Sequence, residues 1–150
     1  MRTVIQRVTE AKVDIQQKTI GTINQGFVVL LGVEDADTVD DAKWLAAKIC
    51  KLRLFDDDEG RMNLDIKDVV GNILVVSQFT LHAKTKKGNR PSYIKAGKPD
   101  YANQLYEYFI DELIQIIDQP IQSGEFGANM QISMVNDGPV TIVIDTKNKE

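Results

Sequence analysis

A chain of 150 residues, 43% of them hydrophobic, can bury one real core and does not require a second domain. Its formal net charge of −4 argues against a general polyanion binder, and its one cysteine argues against a disulfide-stapled secreted domain. No apolar run approaches a membrane span and no signal-type apolar segment opens the chain, so residues 1–150 read as one soluble, cytoplasmic domain.

Alternating apolar and polar residues predict strands at "TVIQRV", "AKVDI", "TIGTI" and "GFVVLLGV", with "NQG" turning into the last. From Thr38 the period lengthens, and Ala42, Leu45, Ala46 and Ile49 form a helical stripe behind an acidic first turn. "FDDDEGRMN" is a polar turn. "NILVVSQFTLHA" is mostly apolar and predicts a strand inside a sheet. A second helix starts near Pro99 or Asp100, carries the stripe Ala102, Leu105, Phe109, Leu113 and Ile116, and stops before Pro120. Two final strands, Met130 to Val135 and Val140 to Asp145, flank a Gly138-Pro139 pair, and the tail from about residue 146 is expected to fray. The class is α+β.

Most chemistry is eliminated by composition. Cys50 and His82 are the only residues of their kinds, which leaves no zinc site within one chain and no metal or cofactor expectation. Cys50 sits beside the apolar stripe of the first helix and reads as a small packed hydrophobe; His82 reads as a surface histidine at a strand end. The run Asp56 to Glu59 fails as a calcium loop because its twelfth position is Lys67. No phosphate-binding glycine loop occurs.

Two features remain. In "SQFTL" the polar side chains of Ser77, Gln78 and Thr80 interrupt an apolar run, either to line a cleft at the strand end or simply where the strand meets solvent. After it comes a segment with Lys84, Lys86, Lys87, Arg90, Lys95 and Lys98 and no acid, which is either a solvated loop or a guide for phosphates with Tyr93 beside it. Gly138-Pro139 is a third puzzle. Proline brings no N–H to a ladder, and a plain hairpin would not need it.

"MRTVIQRV", "SQFTL", "KKGNRPSY" and "GEFGANMQISMVNDGPVTIVID" together resemble the D-aminoacyl-tRNA deacylase family, in order and over nearly the whole chain. The resemblance implies a β-barrel-like, mostly antiparallel sheet with two main helices, assembled as a homodimer that needs no cofactor. It implies hydrolysis of the ester between a D-amino acid and tRNA, and of glycine mischarged onto tRNA. It also implies a cis Gly138-Pro139 pair that enters the partner's pocket, holds the substrate amino group with its carbonyls and leaves no room for an L side chain. Arg7 would brace that pair, and Phe126 and Met130 would wall the adenosine. The reaction would run at Ser77, Gln78, Phe79 and Thr80, with main-chain N–H groups near Phe79 and Thr80 for the oxyanion and the ribose 2′-hydroxyl as proton relay. Thr80 lacks a neighbouring base in sequence and fits positioning better than nucleophilic attack. Lys84, Lys86, Lys87 and Arg90 would meet tRNA phosphates. His82 and Tyr93 stand where the family leads one to expect other aromatic residues. A non-catalytic RNA-binding module is the alternative.

Overall fold

A computed structural model describes all 150 residues, Met1 to Glu150. The first two expected strands are one. β1 runs unbroken from Arg2 to Ile15, extended across Thr9 and Glu10 because the C-terminal strand pairs with it on both sides of them. β2 (Lys18–Ile23) returns antiparallel through Gln16 and Gln17, both at positive φ as a two-residue hairpin turn requires. β3 (Gly26–Gly32) then pairs antiparallel with the N-terminal half of β1, from Val8↔Gly26 to Arg2↔Gly32.

Helix α1 (Val39–Lys51) starts where Thr38 donates both its N–H and its hydroxyl to Asp41, and it buries Ala42, Leu45, Ala46, Ile49 and Cys50. A small ribbon of β4 (Phe55–Asp56) and β5 (Met62–Leu64) follows, and the chain then enters β6 (Asn72–Ser77), parallel to β3. α2 (Pro99–Ile117) makes a second crossover to the short β7 (Gln122–Ser123), parallel to β6. Parallel neighbours need such crossovers, which places α1 against α2 on one side of the sheet.

β3 and β6 are apolar throughout because both their faces are covered. Phe27, Val29, Leu31, Ile73 and Val75 face the helices with Ile5, while Val28, Leu74 and Val76 face a smaller core with Val8, Val13 and Ile23. β2 curls toward β6 and β7, so the sheet is mixed, antiparallel in most of its length and nearly closed into a barrel. Burial pushes the Cys50 thiol up to about 12, in keeping with a packed, inert side chain.

The C-terminal end departs from expectation twice. Instead of two strands around a Gly-Pro turn there is a single strand, β8 (Gln131–Asp145), antiparallel to β1 along its length. Pairing passes from Val8↔Asn136 to Gln6↔Thr141, so the four residues Asp137 to Val140 lie opposite Arg7 alone and bulge out. The tail is also held down. The buried Thr146 gives its N–H to the Met1 carbonyl at 2.8 Å, the Met1 ammonium pairs with buried Asp37, and Lys147 reaches Asp41 at 2.7 Å.

Candidate active site

β6 ends at Ser77, and the next residues do not continue as a strand: Phe79–His82 form one 3₁₀ turn. Gln78 is anchored first, its N–H bonding the Leu31 carbonyl at 2.7 Å. The turn then closes through Leu81 N–H to Gln78 and Ala83 N–H to Thr80. The first N–H groups of a helical turn have no internal acceptor, and those of Phe79 and Thr80 have no hydrogen-bond acceptor elsewhere in the protein. The Gln78 side-chain amide donates to the Thr80 hydroxyl at 2.5 Å, and no imidazole, carboxylate or amine bonds that hydroxyl.

Beside the turn lies a cleft of about 410 Å³ whose wall includes Ser77, Gln78, Phe79, Tyr93, Phe126 and Gly127. Phe79 is 55% exposed and meets Tyr93 edge-on, with ring centroids 5.1 Å apart. Phe126 packs against Tyr106, whose hydroxyl donates to the Val75 carbonyl at 3.0 Å and is pushed by burial up to about 12. Roomier hollows, of about 550 Å³ at Trp44 and about 620 Å³ near the Gln16-Gln17 turn, contain none of these residues nor the Gly-Pro pair.

Lys84, Lys86, Lys87 and Arg90 are all exposed, and none pairs with a carboxylate. Their loop is pinned rather than loose. Lys84 and Ser92 exchange two backbone hydrogen bonds, and Gly97 N–H returns to Val33, which brings Tyr93 over the cleft mouth.

The other expected site residues divide. Buried Arg7 donates from Nε to the Asp137 carbonyl at 3.3 Å and from Nη1 to the Leu54 carbonyl at 2.6 Å, so it holds the base of the Gly138-Pro139 bulge. That peptide bond is cis, and Gly138 has φ +121°. The bulge is exposed and does not line this chain's own cleft. Met130 does not reach the cleft either; it packs over Gly124 against the smaller core. His82 is buried, contrary to the surface position expected, because the turn folds its ring back under β3. Its Nδ1 lies 3.9 Å from Glu34, and neither ring nitrogen bonds another protein group. Sequence reasoning also passed over Arg2 and Gly32, which surround the turn; neither carried a signal beyond ordinary strand alternation.

The profile described as D-Tyr-tRNA(Tyr) deacylase matches residues 4–145. The chain belongs to that family. It is 57% identical to the D-aminoacyl-tRNA deacylase of Phocaeicola vulgatus and 54% identical to that of Flavobacterium johnsoniae, in each case over 150 residues and the whole of both chains. Among solved structures, the c-Myc DNA Unwinding Element Binding Protein superposes with a TM-score of 0.90 at 38% identity, covering 97% of this chain and 98% of that one. A probable eukaryotic D-amino acid tRNA deacylase superposes with a TM-score of 0.82 at 17% identity, covering 95% of this chain and 97% of that one, which shows the fold. No helix is long and apolar enough to cross a membrane.

Proposed function

We propose that this chain, a hydrolase of the D-aminoacyl-tRNA deacylase family, cleaves the ester of D-aminoacyl-tRNA in the cleft beside the Phe79–His82 turn. The observation that carries the reading is the pair of unclaimed main-chain N–H groups on Phe79, which lines the cleft, and on Thr80, the next residue of the turn, with no nucleophile-base pair near them. Water adds to the ester carbonyl, and the resulting oxyanion takes those two N–H donors. As the tetrahedral carbon collapses, its bond to the ribose oxygen breaks. The neighbouring 2′-hydroxyl relays the proton to the leaving oxygen, releasing the free amino acid and tRNA. Thr80 positions: its hydroxyl is already engaged by Gln78, and no base is at hand to activate it.

Chirality is read in a homodimer, where the Gly138-Pro139 bulge of a second copy enters the cleft and its carbonyls hold the α-amino group. The exposure of the bulge, its absence from its own cleft and the exposed Val135 and Val143 on β8 support this arrangement. Exclusion works against an L side chain, so glycine, which has none, is hydrolysed as well. Phe126 stacks against the terminal adenosine, and the unpaired cations from Lys84 to Arg90 take the phosphates.

A second reading, a nucleic-acid-binding module without ester chemistry, draws on the same cations and on the name of the relative with TM-score 0.90. One assay separates the two. Deacylation of matched D- and L-Tyr-tRNA should show turnover of the D ester only, while tight binding with no turnover of either would leave the binding module. Thr80→Ala should slow the D reaction without abolishing it, and tRNA ending in 2′-deoxyadenosine should be nearly inert. Complete loss in Thr80→Ala, with folding and tRNA affinity intact, would make Thr80 the nucleophile; full activity on the deoxy substrate would remove the ribose hydroxyl.

A further inference from the structure

The 3₁₀ turn that carries Phe79 and Thr80 rests on a row of three residues crossing three strands. Arg2 of β1 pairs in register with Gly32 of β3 on one side and with Asp145 of β8 on the other. The Arg2 guanidinium is committed on all three nitrogens. Nε and Nη2 donate to the Asp145 carboxylate at 3.0 and 2.8 Å, and Nη1 donates to the Leu81 carbonyl at 2.8 Å. That carbonyl stands near the end of the turn, where the next donor along the chain, Lys84 N–H, is taken by Ser92. A cation there complements the exposed carbonyl end of the turn. Gly32 supplies the floor: a Cβ on it would lie 2.9 Å from the Gln78 carbonyl oxygen, 3.0 Å from His82 Cδ2 and 3.1 Å from Leu81 Cβ. Only a residue without a side chain lets the turn sit this close to β3.

We infer that Arg2, oriented by Asp145 and set beside Gly32, is a positioning residue that holds the Phe79-Thr80 donors in place. The inference rests on the proposed deacylase reading for its effect on rate, but not for its effect on the turn. Arg2 touches neither the cleft wall nor the Gly-Pro bulge. Its loss therefore moves the oxyanion donors while leaving the Gly-Pro bulge, Phe126 and the basic loop in place, and the signature is a fall in rate with substrate binding little changed. Lysine cannot replace the fork, because one ammonium cannot reproduce the planar grip on carboxylate and carbonyl together.

The test combines single-turnover deacylation of D-Tyr-tRNA with amide hydrogen exchange in Arg2→Ala, Arg2→Lys, Asp145→Asn and Gly32→Ala. In Arg2→Ala the maximal rate should fall roughly tenfold or more, the change expected when one charged hydrogen bond is removed, with half-saturation within about twofold of wild type. Exchange at the Leu81 and Ala83 amides should quicken by a similar factor while the β1 and β3 amides keep their protection. Arg2→Lys and Asp145→Asn should lie in between. Gly32→Ala should reproduce the pattern with Arg2 intact, and it carries the test if Arg2→Ala does not fold. A wild-type rate with wild-type exchange at Leu81 and Ala83 would overturn the inference, as would a rise in half-saturation alone. Wild-type protein inactive on D-Tyr-tRNA would sink the deacylase reading instead, and the exchange data would still decide whether Arg2 holds the turn.

Discussion

Replacing Gly138 with alanine tests the bulge at its tightest point. An added Cβ would lie 2.9 Å from Val140 Cγ2, 3.0 Å from the Val140 nitrogen and 3.2 Å from Arg7 Nη2. The Val140 side chain can rotate away, but its backbone nitrogen moves only if the bulge moves. Arg7 has little freedom, being buried and tied to the Leu54 and Asp137 carbonyls. Gly138 also sits at φ +121°, where an L side chain adds about 1–3 kcal/mol of backbone strain. The strain is released locally, because Gly138 and Pro139 are exposed and the arms of β8 remain paired with β1. Thermal unfolding should therefore fall by only about 2–4 °C for each kcal/mol not relieved, with the barrel intact. Activity should fall far more. Displacing the bulge by even an ångström should lower kcat/KM on D-Tyr-tRNA by about a hundredfold. Steady-state deacylation on D- and L-Tyr-tRNA, paired with melting curves, reads both quantities. A Gly138→Ala protein with the expected small melting shift but wild-type kcat/KM and wild-type preference for the D ester would refute the role given to the bulge.

Other consequences follow from the same structure. Removing Lys84, Lys86, Lys87 and Arg90 together should weaken binding to all tRNAs alike and flatten its salt dependence by roughly one unit of slope for each phosphate no longer neutralised, with chirality untouched; an unchanged slope would mean a merely solvated loop. Burial by itself would raise the Asp41 carboxyl, but hydrogen bonds from Lys147 and Thr38 outweigh it and hold the group well below the usual carboxylate range. A depressed folded-state value stabilises above the ordinary value of about 3.9 and is lost as pH falls below it. Asp41→Asn should accordingly cost about 1–2 kcal/mol near neutrality, and the gap from wild type should close in denaturant titrations run at progressively lower pH. Val70 stands at φ +51° and is 82% exposed, so it bears left-handed strain with little packing in return. Val70→Asn should raise stability by about 1 kcal/mol, measured by denaturant melts; no gain would mean the strain is relieved elsewhere.

The amphipathic parts of the fold were open to reading because their period is enforced by burial. α1 and α2 each bury one stripe, and the apolar run of β6 proved to be a strand covered on both faces between β3 and β7. β7 was not legible. Its two residues, Gln122 and Ser123, pair only because α2 delivers them beside Leu74 and Val75. The Gly-Pro bulge was misread for a related reason. Two alternating runs around Asp-Gly-Pro fit a hairpin and a bulged single strand equally well in sequence, and the choice is made elsewhere, by a β1 long enough to pair with both arms. His82 illustrates the same dependence: a strand continuing past Ser77 would have left it at the surface, but the 3₁₀ turn carries its ring inward.

β1 shows why the candidate site was harder to read than the core. Arg2 and Arg7 are five residues apart on a regular stretch of strand, so they project from opposite faces. Arg7 takes the carbonyl at the base of the Gly-Pro bulge, and Arg2 takes the carbonyl at the end of the turn bearing Phe79 and Thr80. Each guanidinium satisfies carbonyls from chain segments remote in sequence, Leu54 and Asp137 for one and Leu81 for the other. Periodicity records only that such a side chain faces in or out, and at Arg7 an inward arginine looks like a fault in the pattern until its acceptors are known. Polar residues that break strand alternation without a local partner are therefore where tertiary hydrogen bonds should be sought first. Here one strand, by holding a motif on each face, fixes the geometry of both.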